Sequence, residues 1–184
     1  TLACISACKS PRAIEGFGPI VDGFDQVPFQ DLAALKSAIT SETAGILLEP
    51  IQGEGGVHVH TDEYLRALRQ IADEHGLLLW FDEVQCGMGR TGSLFTYESV
   101  GIHPDIVTIA KGLGNGFPVA ATLVNEEITR AMTPGSHGST FGSNPLAMAV
   151  VDAVLNELAS PELLANVRYQ GAALSVGLAS LAAE

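Results

Sequence analysis

Two polar side chains follow directly on apolar runs of the chain, and their types suggest a reactive site. Asp82 comes after "LLLWF" (77–81), and Lys111 comes after "DIVTIA" (105–110). Both runs have the length and composition of buried strands. Because ligands of open α/β sheets bind at the carboxyl ends of the strands, we expect the acid and the amine to lie at one edge of a sheet.

Lys111 differs from the other two lysines of the chain in its surroundings. Lys9 and Lys36 lie in polar or helical-surface contexts, whereas Lys111 lies in the apolar, glycine-rich stretch "TIAKGLGNGFP". Partial desolvation there would favour the neutral amine, a nucleophile toward carbonyl groups. The alternatives are a lysine that extends from a strand end into solvent and a salt bridge between Lys111 and Asp82. In a third arrangement the carboxylate holds a protonated heteroaromatic nitrogen while the amine holds an aldehyde, as pyridoxal phosphate requires.

The glycines after Asp82 have the spacing of a dinucleotide-binding loop, since Gly87, Gly89 and Gly92 spell G-x-G-x-x-G. Such a loop needs its first glycine at the strand end and a helix that opens within the motif. Here other residues lie between the end of the apolar run and Gly87. The stretch after Gly92 is broken by a glycine and a proline, which makes it a poor crossover helix. We expect these glycines to let the backbone turn closely past a cofactor edge, and Arg90 to anchor this loop. An NAD-dependent dehydrogenase is the alternative of a different class.

Composition narrows the classes of function. The net charge is −12 with nine Lys and Arg residues, which disfavours nucleic acid or an anionic membrane as a partner. No apolar run approaches the roughly 20 residues of a transmembrane helix. The three cysteines lack C-x-x-C spacing, which disfavours a disulfide framework or zinc site and favours a cytoplasmic location. His58 and His60 flank one residue, but no third ligand is near them in the sequence, so we expect no metal site.

Apolar runs and helical periodicity predict the order of elements. Strands alternating with an amphipathic helix favour an α/β fold with a parallel sheet covered on both faces. The chain begins without Met and stops inside a helical pattern, so we expect it to be a piece of a longer protein. The predicted strands are 45–50, 77–81, 105–110 and 119–124; the predicted helices are 31–39, 61–76, one from Pro145 and one from Pro161; residues 1–30 are expected to be irregular with room for one strand.

Three stretches of the chain resemble class III (ornithine-type) pyridoxal-phosphate aminotransferases: "LLLWFDEVQCGMGRTG", "PDIVTIAKGLGNGFP" and "PGSHGSTFGSNPLA", in this order and spacing. "EPIQGEGGV" and "EGFGPIV" fit the same family. The resemblance implies an α/β fold-type I large domain, a mostly parallel sheet covered by helices, incomplete at both ends. Residues 1–160 would form part of this domain, and residues 161–184 would begin the small C-terminal domain.

Within the family, the motifs are most similar to members that transfer the amino group of N2-acetylornithine to 2-oxoglutarate in arginine biosynthesis. Members that act on succinylornithine, ornithine or 4-aminobutyrate remain alternatives. The resemblance also implies pyridoxal 5′-phosphate as cofactor and a homodimer. The family's glycine-rich phosphate loop, ring-stacking aromatic and substrate-carboxylate arginine belong before residue 1, so we expect this piece alone to be inactive. A non-catalytic binding module would follow if it were the whole gene product.

The resemblance implies cofactor-binding roles for four residues. Lys111 would form a Schiff base with the cofactor aldehyde and later move the proton between the substrate carbon and the cofactor. Asp82 would keep the pyridine nitrogen protonated. Val84 would pack on the ring face, and Gln85 would hydrogen-bond near the phenolic oxygen. The alternative for Gln85 is a plain loop residue.

The resemblance implies roles in substrate binding and across the dimer for three more residues. Thr140 would reach from its loop to the partner's cofactor phosphate, and the neighbouring Ser139 would also touch the substrate. Glu54 would pair with an arginine for one half-reaction and swing away for the other. An ordinary turn hydroxyl and a solvated acid are the alternatives for Thr140 and Glu54. The chain departs from the family pattern at Ser143 and Asn115, where glycine is usual.

Overall fold

The computed structural model describes residues 1–183, which fold as two compact units. The first unit spans Thr1–Thr43, and the second begins at Ala44. The first unit contains three helices, α1 (Leu2–Cys8), α2 (Pro11–Ile14) and α3 (Leu32–Ala38). The prediction of α3 is confirmed, with Asp31 at its start.

Helices α1 and α2 correct the expectation that residues 1–30 are irregular. The first proline or glycine is Pro11, so no strong breaker interrupts residues 2–8. Ser6 is buried in α1, where its Oγ donates to the carbonyl of Leu2 at 2.8 Å and accepts from the amide of Val21 at 2.9 Å. The strand that this region could have held is not present among the described residues 1–43.

The second unit is built on a four-stranded sheet and a small hairpin. The strands are β1 (Gly45–Leu48), β2 (Ile51–Gln52), β3 (His58–Val59), β4 (Leu78–Asp82), β5 (Ile106–Ile109) and β6 (Ala121–Val124). The sheet has the order β1-β4-β5-β6, and β2 pairs with β3. β1, β4 and β5 are parallel, as predicted, whereas β6 is antiparallel to β5. The sheet is therefore mostly parallel, as the resemblance implies, although the apolar runs by themselves do not encode the direction of β6.

The helices of the second unit are α4 (Asp62–His75), α5 (Thr96–Val100), α6 (Glu126–Thr129), α7 (Pro145–Leu158) and α8 (Pro161–Ala182). Three of them, α4, α7 and α8, begin close to the predicted residues, whereas two short helices, α5 and α6, were not predicted. At the start of α4, Thr61 Oγ1 accepts from the amide of Tyr64 at 3.2 Å, and at its end Gly76 adopts φ 66°. α4 packs against β1 and β4. No helix within residues 1–183 has the length and apolarity to cross a membrane.

One face of the sheet is better covered than the other. Leu79, Phe81 and Val107 are buried on one side. On the opposite side, Leu47 and Leu78 remain 45% and 38% exposed. The predicted coverage of both faces is thus incomplete within the described residues. The boundary predicted between residues 160 and 161 falls between α7 and α8, and it stays a prediction.

Candidate active site

Asp82 and Lys111 lie at the same edge of the sheet, as the apolar runs predict. Asp82 is the last residue of β4 and pairs in register with Thr108 of the parallel neighbour β5. Lys111 follows two residues after the end of β5. Within residues 1–183 the two side chains form no ion pair, so the salt-bridge alternative for Lys111 does not describe this structure.

Lys111 opens a tight turn in which its neighbours fix the backbone. The residue has φ 39° and begins a 3₁₀ turn, Lys111–Leu113. Its carbonyl accepts hydrogen bonds from the amides of Gly114 at 3.2 Å and Asn115 at 3.1 Å. A Cβ on Gly114 would collide with the carbonyl oxygen of Phe117, so only glycine fits there. The lysine side chain itself is exposed, which corrects the expectation that its amine is partly desolvated.

An open cavity of about 580 Å³ lies beside this turn. Lys111, Asn115 and Phe117 line it together with Arg90, which is exposed. Arg90 therefore borders the same space as Lys111, although the sequence favoured an anchoring role in its own loop over contact with a substrate. Asn115 has φ 43°, a left-handed conformation that Asn tolerates better than most residues where the family often has glycine.

The loop after Asp82 directs alternate side chains to different environments. Asp82 Oδ1 accepts from the amide of Val84 at 2.9 Å, and its Oδ2 has no hydrogen-bond partner within residues 1–183. Val84 and Gln85 are half-buried. Gln85 Nε2 donates to Glu54 Oε1 at 3.1 Å, which joins two of the candidate residues. The Gln85 side chain lies so close over Gly53 that a Cβ there would collide with it.

Glu83 is a buried acid that the sequence reading did not single out. Its side chain is 0% exposed, and its carboxylate accepts from the amides of Thr96 at 2.7 Å and Tyr97 at 3.1 Å. Burial raises the pKa of Glu83, while the hydrogen bonds from Thr96 and Tyr97 oppose that shift. The alternation along β4 could have revealed it, because Leu79, Phe81 and Glu83 all face the interior.

The glycine spacing does not form a dinucleotide site. No helix begins within Gly87–Gly92; the next helix, α5, begins at Thr96 and has only five residues. Gly87 packs against Glu83, since a Cβ there would lie 2.9 Å from the Glu83 carbonyl oxygen. Gly92 packs against Arg168 of α8, whose guanidinium donates to the Gly92 carbonyl. These glycines therefore serve close backbone packing.

Ser139 and Thr140 lie in a segment, residues 129–143, that is exposed throughout. Ser139 Oγ accepts from the amide of Gly142 at 3.1 Å. Neither residue is joined to Asp82 or Lys111 by a hydrogen bond or ion pair within the part of the chain that the structure describes. Ser143 adopts φ 56°, so it takes the glycine-like conformation of the family's usual residue, and Asn144 then caps α7 by accepting from the amide of Ala147 at 2.9 Å.

The two histidines considered for a metal lie in different surroundings. His58 is exposed, whereas His60 is buried and stacks on Tyr64 with ring centroids 5.0 Å apart. Within residues 1–183, no group of three or more His, Cys, Asp and Glu side chains is placed to hold a metal ion.

The donor set at the sheet edge fits a cofactor that carries an aldehyde and a basic ring nitrogen. Lys111 offers an amine that is not in an ion pair, and Asp82 offers a carboxylate oxygen without a partner, both within the described residues. Gly53, Gly87 and Gly114 each sit where a larger residue would meet a neighbouring group. Adjacent parallel strands thus bring an acid and an amine to one edge without an ion pair between them, and an open space lies beside the amine.

Comparisons with known proteins agree with this geometry. The family described as aminotransferase class-III matches residues 1–184. The acetylornithine aminotransferase of Brucella melitensis is 57% identical over 181 residues, which cover 98% of this chain and 45% of that protein. The N-acetylornithine aminotransferase of Stenotrophomonas maltophilia is 42% identical with a TM-score of 0.76, over 85% of this chain and 41% of that chain.

A second solved structure is equally informative about the fold. The ornithine aminotransferase of Toxoplasma gondii is 36% identical with a TM-score of 0.80, over 85% of this chain and 38% of that chain, and it is described with pyridoxal phosphate partly occupying its active site. The present chain spans less than half the length of the relatives it matches.

Proposed function

This chain belongs to the class III aminotransferases, and from that premise we propose that the protein transfers the amino group of N2-acetylornithine to 2-oxoglutarate with pyridoxal 5′-phosphate. The observation that carries the proposal is the placement of Asp82 and Lys111 at the ends of adjacent parallel strands without an ion pair between them. The relative that is 57% identical over 98% of the chain supports acetylornithine as the amino donor. The reaction would serve arginine biosynthesis in the cytoplasm.

Asp82 and Lys111 would hold the two reactive ends of the cofactor. When bound, pyridoxal phosphate supplies a ring that withdraws electrons from the substrate carbon. Lys111 Nζ would hold the aldehyde carbon and later, once the substrate has displaced it, move the proton at the substrate carbon. The free oxygen of Asp82 would keep the ring nitrogen protonated. Val84 and Gln85, which follow the buried Glu83, would contact the ring and its phenolic oxygen.

The substrate and the partner subunit would be met by exposed residues. Glu54 would contact the substrate side of the site, where its hydrogen bond from Gln85 keeps it beside the cofactor loop. Ser139 and Thr140 would complete the site of the partner in a homodimer, because their exposed segment is joined to neither Asp82 nor Lys111 in the described residues.

Ornithine itself is the second candidate substrate, because a solved ornithine aminotransferase matches with a TM-score of 0.80. The test is the specificity of the full-length protein loaded with pyridoxal phosphate. We expect kcat/KM with 2-oxoglutarate to be highest for acetylornithine among acetylornithine, succinylornithine, ornithine and 4-aminobutyrate. A higher value for any of the other three would overturn the substrate assignment, and absence of transamination with all four would overturn the reaction.

A further inference from the structure

Glu83 is a buried acid next to the residue that would bind the cofactor ring. The exposed fraction of its side chain is 0%, whereas Asp82 and Val84 on either side are half-buried. Successive residues of an extended chain point to opposite sides, so the Asp82 side chain reaches the ligand edge while the Glu83 side chain enters the protein. Burying an acid is unfavourable unless its oxygens are hydrogen-bonded.

Both oxygens of Glu83 are hydrogen-bonded across the glycine-rich loop. Oε2 accepts from the amide of Thr96 at 2.7 Å, and Oε1 accepts from the amide of Tyr97 at 3.1 Å. Thr96 and Tyr97 are the first two residues of α5, and amides in a first helical turn have no partner within the helix. The side chain therefore ties the end of β4 to the start of α5.

The backbone of Glu83 is fixed from two further directions. Its amide donates to the carbonyl of Thr108 on β5 at 2.9 Å, and its carbonyl accepts from the amide of Gly87 at 2.9 Å. Gly87 leaves no free space, because a Cβ there would lie 2.9 Å from both the carbonyl oxygen and Oε2 of Glu83. Residue 83 is thus held by β5, by α5 and by the glycine loop at once.

The acid at this position does more than fill space, because an apolar residue of similar volume would leave the amides of Thr96 and Tyr97 without this acceptor. The carboxylate fixes the position of residue 83, because its two oxygens are held by two amides of α5. Asp82 directly precedes Glu83 and Gln85 lies two residues after it, so both are close to a residue that cannot shift without breaking these bonds.

We propose that Glu83 is a positioning residue that aims Asp82 and Gln85 at the cofactor. It acts through its neighbours and touches neither substrate nor cofactor. The inference rests on the proposed function, in which Asp82 contacts the ring nitrogen and Gln85 the phenolic oxygen.

The test is Glu83→Gln in the full-length enzyme with pyridoxal phosphate. The amide keeps the size of the side chain but turns an NH2 group toward one of the two α5 amides, which loosens the connection. We expect the single-turnover rate with acetylornithine to fall by about 100-fold, the scale of a displacement of about 1 Å in a catalytic group. The pH midpoint of the visible absorption of the bound cofactor should also shift, while KM stays near its original value. Glu98→Gln is the matched control, because Glu98 is an exposed acid on α5, the helix whose first amides donate to Glu83.

Two reference variants separate the possible outcomes. If Glu83→Gln lowers the melting temperature but leaves the single-turnover rate and the cofactor spectrum unchanged, Glu83 only stabilises the fold and the proposal is wrong. If Glu83→Gln does not fold, Glu83→Asp, which keeps the charge and cannot reach both amides, is judged by the same spectrum and rate. Asp82→Asn tests the premise separately. A normal single-turnover rate in Asp82→Asn would overturn the role of Asp82. A greatly reduced rate in Asp82→Asn together with a normal rate in Glu83→Gln would overturn only the positioning role of Glu83.

Discussion

At the scale of single residues, the proposed chemistry depends on an acid and an amine that share a sheet edge and form no ion pair with each other. Asp82 keeps one oxygen on the amide of Val84 and leaves the other without a partner in residues 1–183. Lys111 has a constrained backbone, with φ 39° and two amides on its carbonyl, but an exposed side chain. A fixed backbone and a free amine suit a group that must hold a ligand and then release it.

Lys111→Ala should abolish covalent attachment of the cofactor and reduce turnover of the full-length enzyme by several orders of magnitude. The alanine keeps the short turn but removes the only amine at this sheet edge in the described residues. Borohydride reduction of the loaded enzyme, followed by peptide mapping, should find the cofactor on Lys111. Lys9 and Lys36 are internal controls, and a cofactor label on either of them would overturn the assignment.

His60 is expected to resist protonation because desolvation lowers its pKa to about 4. The ordinary value is about 6.5 in an unfolded chain, so the unfolded state binds the proton first as pH falls. The free energy of unfolding should therefore fall from about pH 6.5 to pH 4, with a slope approaching 1.4 kcal/mol per pH unit for one proton.

Denaturant titrations of the full-length protein across this pH range measure the effect of His60. His60→Phe keeps an aromatic ring beside Tyr64 and should flatten the pH dependence. His75→Gln, which replaces an exposed histidine of α4, should leave the pH dependence unchanged. The same slope in the protein with and without His60 would show that another group titrates.

At the scale of elements, the sequence predicts the parts whose signals are local. Thr61 caps the start of α4 with its side chain, and Gly76 ends the helix in a left-handed conformation. The sequence predicts both ends. β4 and β5 fall within one residue of their predicted ends. The direction of β6 and the buried position of Glu83 depend on partners far along the chain, and a single apolar run carries no information about them.

The candidate site also has features that local sequence patterns predict and features that depend on contacts between distant parts of the chain. The edge that carries Asp82 and Lys111 could be predicted, because strand ends follow from hydrophobic runs. The hydrogen bond between Gln85 and Glu54 joins residues 31 positions apart, so no local pattern predicts it. The close approach of Gln85 to Gly53 also cannot be predicted from a local pattern. It explains why glycine is required at position 53, the first glycine of "QGEGG".

Gly53→Ala should displace Gln85 and weaken cofactor binding in the full-length enzyme. The new methyl group would occupy the space of the Gln85 amide, and overpacking of this kind costs about 1–3 kcal/mol. Titration of the apoenzyme with pyridoxal phosphate measures the effect as a higher dissociation constant. Gly55→Ala is the matched control, because a Cβ there would meet only the side chain of Gln52, at an ordinary contact distance of 3.5 Å from Oε1. Equal dissociation constants for the two variants would contradict the role given to Gln85.

At the scale of the whole molecule, residues 1–183 leave side chains of the proposed site exposed to solvent. Lys111 and Thr140 are exposed, and the Leu47 side of the sheet is only partly covered. Apolar side chains are also exposed along α8, where Leu174 is 64% exposed and Leu181 is 66% exposed. Exposed apolar surface of this kind marks either a contact with further protein or a tendency to aggregate. The chain spans 45% of its 57%-identical relative, which fits the first explanation.

Residues 1–184 expressed alone should therefore bind pyridoxal phosphate weakly and show no transaminase activity. Lys111 and Asp82 are present, but the amine is exposed. In the proposed homodimer Thr140 would help only the partner's site, and the uncovered apolar surface would hinder formation of that dimer. Titration of the purified piece with cofactor and acetylornithine, beside the full-length protein, measures both properties. Size-exclusion chromatography of the same sample distinguishes a dimer from aggregates. Stoichiometric, tight cofactor binding with measurable turnover by the 184 residues would demonstrate that they already contain a complete site.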